Sequence, residues 1–221
     1  MPYPIRINKY LRDKGFASRR EADELIAAGK IFVNGKPAKE GMKIDEQDKV
    51  EVRVEKKSYR YLAYYKPRGL ATQAEKGTED VISNWEKKGL FPIGRLDKES
   101  EGLLILTDDR QQTSKILGAK SKVEKEYTVL VREPLRAGVE AIFKKGMLTK
   151  TLGPLLPAEA EIQSRHSLRV VLHEGKKHQI RVMLAELGYT VESLKRVRIG
   201  KVSLGKLKPN ETRVLNEKDL K

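Results

Sequence analysis

The chain has 221 residues, of which 38% are hydrophobic, enough to build one large domain or two modest ones. It carries 46 Lys and Arg against 31 Asp and Glu, and the formal net charge of +15 makes a polyanion, nucleic acid in particular, the expected partner. The absence of Cys excludes disulfides and thiolate metal sites, and with no apolar run of about 18 residues and no signal-peptide core we expect a cytoplasmic protein.

Residues 1–54 are predicted to form a small separate domain of two short helices and a hairpin. Ser18 and Glu21 have the spacing of a capping box, which predicts the start of the second helix. Asn34-Gly35 is a strong turn signal and predicts the point where the hairpin reverses. The polar stretch 55–58 is predicted to be a linker.

The cations of this first domain favour phosphate binding. Arg19 and Arg20 lie in the first turn of the second helix, where the helix dipole already attracts an anion. The alternative is a solvated basic face without a ligand. The stretch RINKYLRDKGFASRREADELIAAGKIFVNGK closely resembles the RNA-binding domain first named for ribosomal protein S-four, which implies contacts with RNA. The candidate RNA-binding residues of this domain are Arg6, Lys9, Ser18, Arg19, Arg20, Lys30, Asn34 and Lys36.

Residues 59–221 are predicted to form a second, larger domain. Apolar residues alternate or run continuously in several short segments, which predicts strands, and one segment with helical spacing ends at Gly188. This mixture favours an α+β domain around a largely antiparallel sheet. The predicted strands are 61–65, 103–106, 127–131 and 168–172, and the clearest predicted helix is 177–187.

The polar loop GRLDKES is the most informative part of the chain. It contains Asp97 and runs directly into the apolar strand 103–106. A carboxylate on a loop that is held by a packed core is well placed for chemistry. Taken alone, however, Asp97 could equally stabilise a turn.

Four segments, in matching order, resemble pseudouridine synthases, specifically the branch with an added RNA-binding domain that acts on ribosomal RNA. They are YLAYYKPRGL, GRLDKESEGLLILT, the KEY of residues 125–127, and EGKKHQIRVMLAELGYTVESLKRVRIGKVSLG. Within the branch, FPIGRLDKES most resembles the type F enzymes of the large ribosomal subunit, followed by type B. Tyr65 stands where the first segment usually has Asn, and His178 stands where this branch commonly has Arg.

The resemblance implies roles for individual residues. It makes Asp97 the catalytic residue, as nucleophile or base, Tyr127 the residue that stacks on the uracil, and Arg181 the partner that keeps Asp97 ionised. Arg95 would fill the gap left by a flipped base. Without the resemblance, Tyr127 would more often be a core aromatic and Arg181 one more surface cation. Further candidates for the pocket or the RNA-binding surface are Ile180, Lys66, Lys125, Lys195, Arg196 and Arg198, the last three as part of the cationic surface.

The implied activity is the isomerisation of uridine to pseudouridine in ribosomal RNA, with large-subunit (23S) RNA as the expected substrate. We expect a monomer with no cofactor, no metal and no membrane partner, since the three His are poorly spaced for a metal site. Two alternatives stay open. One is a non-catalytic RNA-binding protein of ribosome assembly, and a weaker one is an RNA-cleaving enzyme, for which no acid/base pair or triad is evident.

Overall fold

The computed structural model describes residues 3–53, 58–74, 78–109 and 123–220. The chain packs as two compact units, Met1–Ser58 and Tyr59–Lys221. The predicted linker, 55–58, lies outside the described residues except for Ser58. The longest described helix has nine residues, and none of the described helices is long and apolar enough to cross a membrane.

The N-terminal unit consists of two helices packed on short strands. Its capping box is formed as predicted: the Ser18 hydroxyl accepts from the Glu21 amide (3.2 Å) and the Glu21 carboxylate accepts from the Ser18 amide (2.9 Å). The predicted turn is also present, with Asn34 and Gly35 at φ of 50° and 76° between β2 and β3. The elements are β1 (Ile5–Arg6), α1 (Ile7–Asp13), α2 (Arg19–Ala27), β2 (Ile31–Val33), β3 (Lys36–Pro37), β4 (Lys43–Ile44) and β5 (Val50–Val52).

The C-terminal unit is built on a nine-stranded sheet. Its strands are β6 (Tyr61–Lys66), β7 (Phe91–Ile93), β8 (Glu101–Thr107), β9 (Lys125–Val131), β12 (Glu159–Ser164), β13 (Ser167–Leu172), β14 (Val191–Ile199), β15 (Val202–Ser203) and β16 (Thr212–Leu215). A separate hairpin pairs β10 (Leu148–Thr149) with β11 (Gly153–Pro154). The helices among its described residues are α3 (Val81–Glu86), α4 (Val139–Lys145), α5 (Gln179–Glu186) and a 3-10 helix at Glu217–Leu220.

The main path of this sheet has the order β12-β13-β9-β14-β8-β6-β16, with β15 added to β14 and β7 added to β8. Among the strand pairs of the described residues, β8 with β14 is parallel and the others are antiparallel. The predicted α+β class with a largely antiparallel sheet is therefore confirmed. The predicted strands correspond to β6, β8, β9 and β13.

Strand β8 reads as a continuous apolar run because cores cover both of its faces. Leu104 and Leu106 belong to one core, which also contains Ile180 of α5. Leu103 and Ile105 belong to the core on the opposite face. The loop that leads into β8 therefore ends at a strand that is packed on both faces, and this loop contains Asp97.

Candidate active site

The carboxylate of Asp97 contacts the imidazole of His178. The distance from His178 Nε2 to Asp97 Oδ1 is 3.2 Å, and the side chains are 47% and 32% exposed, respectively. Asp97 is thus reachable from solvent, although it belongs to a loop between two buried segments. A partly exposed carboxylate with one polar partner is a group that can act on a bound ligand.

His178 is the N-cap residue of α5 and adopts the left-handed conformation, with φ of 57°. This conformation is uncommon for a residue other than Gly, so the surrounding structure must hold it. The imidazole contacts Asp97 of the loop. The sequence indicated that His178 stands where this branch commonly has Arg, but it did not predict the contact with Asp97, because the two residues are far apart in the chain.

Arg181 supports the backbone of the loop and not the carboxylate. Its Nη2 donates to the Glu99 carbonyl at 3.1 Å and to the Ser100 hydroxyl at 3.4 Å. Among the described residues the basic side chain within 4 Å of the Asp97 carboxylate is that of His178, and the pairing of Arg181 with Asp97 stays a prediction. Arg181 lies about one helical turn after His178, so His178 reaches the loop at Asp97 and Arg181 reaches it at Glu99.

Four adjacent strands place candidate residues at one level of the sheet. Lys66 on β6 lies opposite Gly102 on β8, Gly102 lies opposite Arg196 on β14, and Arg196 lies opposite Tyr127 on β9. Tyr127 is 8% exposed and belongs to the core. Arg196 connects this row to the loop, because its Nη1 donates to the carbonyl of Arg95 at 3.5 Å. Tyr127 shares a core with Leu96, the residue before Asp97, and its contact with a bound base stays a prediction.

Arg196 is a correction to the sequence interpretation. It was predicted to extend the cationic surface, yet it is 4% exposed, and its Nε donates to the Leu103 carbonyl at 2.8 Å. Its Nη2 has no hydrogen-bond partner among the described residues. Arg196 follows the buried Leu194 by two residues, so alternation along β14 places both on a buried face, and the charge of Arg196 was a misleading signal for exposure.

Lys66 and Lys125 are also buried cations. The ammonium group of Lys66 donates to the carbonyls of Pro67 and Leu70, and burial lowers its pKa to about 8, against the opposing influence of the Asp97 charge. The ammonium group of Lys125 donates to the Val123 carbonyl, and burial, followed by the charge of Arg196, lowers its pKa. Both groups are therefore engaged with backbone carbonyls, and their direct contact with RNA stays a prediction.

Lys195 and Arg198 are partly neutralised by carboxylates. The ammonium of Lys195 lies 3.7 Å from Glu101, and the guanidinium of Arg198 lies 2.9 Å from both Glu124 and Glu126. Burial acts to lower the pKa of Arg198, but the hydrogen bonds and charges of Glu126 and Glu124 together raise it. The side chains keep 39% and 26% exposure, so their contribution to an RNA-binding surface stays a prediction.

The other predicted residues of the catalytic domain differ in exposure. Arg95 is exposed, and no side-chain hydrogen bond or ion pair is found for it within the described part of the chain. It is available for a ligand that approaches Asp97. Ile180 is 3% exposed and packs in the core, so it does not line an open pocket in this structure.

The predicted RNA-binding residues of the N-terminal unit separate into exposed cations and structural groups. The exposed cations are Arg6, Arg19, Arg20, Lys30 and Lys36, and Lys9 is half-buried. Arg6, Lys9 and Arg19 line one depression of about 420 Å³. The hydroxyl of Ser18 caps α2, and the amide of Asn34 donates to Asp48 and accepts from the Lys49 amide, so both side chains are engaged in holding the fold. Within the described ranges, no group of three or more His, Asp or Glu could hold a metal ion.

Comparison with known families gives one match in each unit. Residues 60–186 match the RNA pseudouridylate synthase family, and residues 5–50 match the S4 domain. The first match covers more than half of the chain and includes Asp97, Tyr127, His178 and Arg181.

Similar proteins extend over nearly the whole chain. The dual-specificity RNA pseudouridine synthase RluF of Escherichia coli is 36% identical over 232 residues, covering 98% of this chain and 77% of that protein. The uncharacterised RNA pseudouridine synthase YtzG of Bacillus subtilis is 34% identical over 231 residues, covering 98% of this chain and 97% of that protein. A crystal structure of a pseudouridylate synthase superposes with a TM-score of 0.71 at 27% identity, covering 98% of both chains.

Proposed function

The chain belongs to the RNA pseudouridylate synthase family, and from that premise we propose that it converts a uridine of ribosomal RNA, in the large subunit (23S), into pseudouridine. The observation that carries the proposal is the Asp97 carboxylate, one third exposed on a loop fixed from α5 and β14. A net charge of +15 supports a polyanionic substrate.

The reaction is balanced without a co-reactant. The bond between N1 of the base and C1′ of the ribose breaks, a bond between C5 and C1′ forms, C5 loses a proton, and N1 gains one. The product has the same atoms as the substrate, so no oxidant, reductant or group donor is consumed. The work of the protein is to expose the base, hold it in two orientations and move protons.

Asp97 is the group proposed to act on the nucleotide. Both roles left open by the sequence, nucleophile and base, require the ionised carboxylate. The imidazole of His178, 3.2 Å from the carboxylate, helps to orient it. Arg181 and Arg196 hold the carbonyls of Glu99 and Arg95, two residues on either side of Asp97, and so limit the movement of the carboxylate.

The target base must leave its stack before Asp97 can reach it, which costs a few kcal/mol. Arg95, exposed beside Asp97, is the residue proposed to occupy the vacated position. Contacts between phosphates and the cations of the N-terminal unit offset the cost, since each contact releases counterions. The proposal thus divides the work between capture of RNA by the first unit and chemistry in the second.

Replacement of Asp97 by Asn tests the proposal. Since C5 loses its proton, RNA made with tritium at C5 of uridine releases tritium to water when pseudouridine forms. We expect release by the wild type and none by Asp97→Asn, with RNA binding retained. Glu99→Gln is the matched control, because Glu99 is an exposed carboxylate of the same loop and pairs only at 3.5 Å with Arg68.

The outcomes separate the alternatives. Turnover by Asp97→Asn would contradict the role of Asp97. A wild type that binds ribosomal RNA but releases no tritium from any fragment of either subunit would instead favour the non-catalytic role in ribosome assembly. Loss of activity in Glu99→Gln as well would indicate that the loop, and not the Asp97 carboxylate, is sensitive to substitution.

We further propose that the protein works as a monomer in the cytoplasm. The chain contains no Cys, which suits a reducing compartment. Light scattering of the purified protein tests the first point and fractionation of cells the second. A stable dimer in solution would contradict the monomer.

A further inference from the structure

Residues 69–72, which begin at the last residue of the KPRG turn, are hydrogen-bonded to the active-site loop on both sides of Asp97. The amide of Gly69 donates to the carbonyl of Lys98 at 2.8 Å. The hydroxyl of Thr72 donates to the carbonyl of Leu96 at 2.7 Å and accepts from the amide of Leu96 at 2.9 Å. Asp97 therefore lies between two neighbours that the same segment holds in place.

Thr72 is itself held firmly. Its side chain is buried, with 2% exposure. The carbonyl of Ala71 accepts from the amide of Val81 at 3.0 Å, and the carbonyl of Thr72 accepts from the amide of Ile82 at 3.2 Å, so the segment is bonded to the start of α3. Because the Thr72 backbone is held by α3, its hydroxyl can hold the backbone of Leu96 in a defined position.

We propose that Thr72 is a positioning residue for Asp97. This inference rests on the proposed function of Asp97. The single hydroxyl satisfies both backbone groups of Leu96, and at 2% exposure little water reaches them when the hydroxyl is lost. The loop must then move to satisfy these groups. A displacement of about 1 Å at a reacting group can lower a rate by about 100-fold.

Thr149 provides a matched control for a hydroxyl that only stabilises the fold. It is 3% exposed, its hydroxyl donates to the Gly153 carbonyl (3.1 Å), and it accepts from the Leu152 amide (3.1 Å). These bonds lie within the hairpin of β10 and β11. Thr149→Val therefore removes the same kinds of bond at the same burial, without touching the loop.

The test compares Thr72→Val, Thr72→Ser and Thr149→Val. We expect both Val variants to melt a few degrees below the wild type, because each loses two hydrogen bonds to backbone groups. Only Thr72→Val should lower the single-turnover rate at saturating RNA, by at least about 10-fold, with an unchanged Kd for RNA. Thr72→Ser keeps the hydroxyl and should restore the rate. Equal rates for Thr72→Val and Thr149→Val would overturn the inference.

A second readout does not depend on activity. His178 is one of three His in the chain, and its ring contacts Asp97, so its NMR chemical shifts report the position of the carboxylate. They should change in Thr72→Val and stay unchanged in Thr149→Val. Unchanged shifts in both variants would overturn the inference even if the wild type proved inactive, which would separately refute the proposed function. If Thr72→Val does not fold, Thr72→Ala carries the same predictions.

Discussion

Replacement of Lys66 by Met is expected to change how the stability of the protein depends on pH. Lys66 has 0% exposure, and its ammonium group donates to the carbonyls of Pro67 (2.8 Å) and Leu70 (2.6 Å). Burial lowers the pKa of this group from 10.5 to about 8, although the charge of Asp97 acts in the opposite direction. The folded protein therefore releases the proton at a lower pH than the unfolded chain.

The sign and size of the effect follow from this difference. Between pH 8 and 10.5 the unfolded chain keeps a proton that the folded protein has lost, so the free energy of unfolding rises with pH in this window. The pKa values of the two states differ by 10.5 minus about 8, and the full rise is therefore about 3 kcal/mol. Below pH 8 both states carry the proton, and the folded protein bears the whole cost of the buried charge.

Urea unfolding of the wild type and of Lys66→Met, from about pH 7.5 to 10.5, measures this rise. The free energy of unfolding of the wild type minus that of the variant should increase by about 3 kcal/mol across the window, because Met has no proton to lose. Lys87→Met removes an exposed lysine of the same unit, and the free energy of unfolding of the wild type minus that of this variant should not rise across the window. A difference between the wild type and Lys66→Met that does not vary with pH would show that Lys66 keeps its ordinary pKa in the folded protein.

Three further changes test other parts of the structure. His178→Gln removes the imidazole that contacts Asp97, and because this contact is partly exposed the single-turnover rate should fall only about 2- to 5-fold; a loss beyond about 100-fold would show that His178 itself transfers a proton. A chain that begins at Tyr59 should fold but bind fragments of ribosomal RNA more weakly, and the slope of log affinity against log salt should flatten by nearly one unit per lost phosphate contact. An unchanged slope would assign the N-terminal unit a task other than RNA capture. Gly102→Ala places a Cβ 2.3 Å from the Arg196 carbonyl oxygen at a φ of +108°, so the free energy of unfolding should fall by about 2 kcal/mol or more; a melting curve equal to that of the wild type would contradict the parallel pairing of β8 with β14.

Much of the fold could be predicted from local signals. The capping box of Ser18 and Glu21 and the turn at Asn34-Gly35 involve residues close in the chain, and both are formed. The strands were predictable because alternating or continuous burial leaves a direct trace in the sequence. The position of Asp97 on the loop that leads into a buried strand followed from the same reasoning.

The contacts of the site were less predictable because they join distant segments. The contact of Asp97 with His178 and the hydrogen bonds of Arg196 to the carbonyls of Leu103 and Arg95 join residues that are far apart in the chain. No local periodicity records such contacts. The hydroxyl of Thr72 contacts Leu96, 24 residues along the chain, which a sequence pattern does not reveal.

Whether this protein makes pseudouridine in ribosomal RNA is tested most directly by mapping pseudouridines at single-nucleotide resolution in full-length 23S RNA that was transcribed without modifications and incubated with the purified protein. We expect new pseudouridine at one or very few uridines with the wild type, and none with Asp97→Asn. An unmodified 23S RNA after incubation with a wild type that binds it, or the same conversion by Asp97→Asn, would show that the proposed function is wrong.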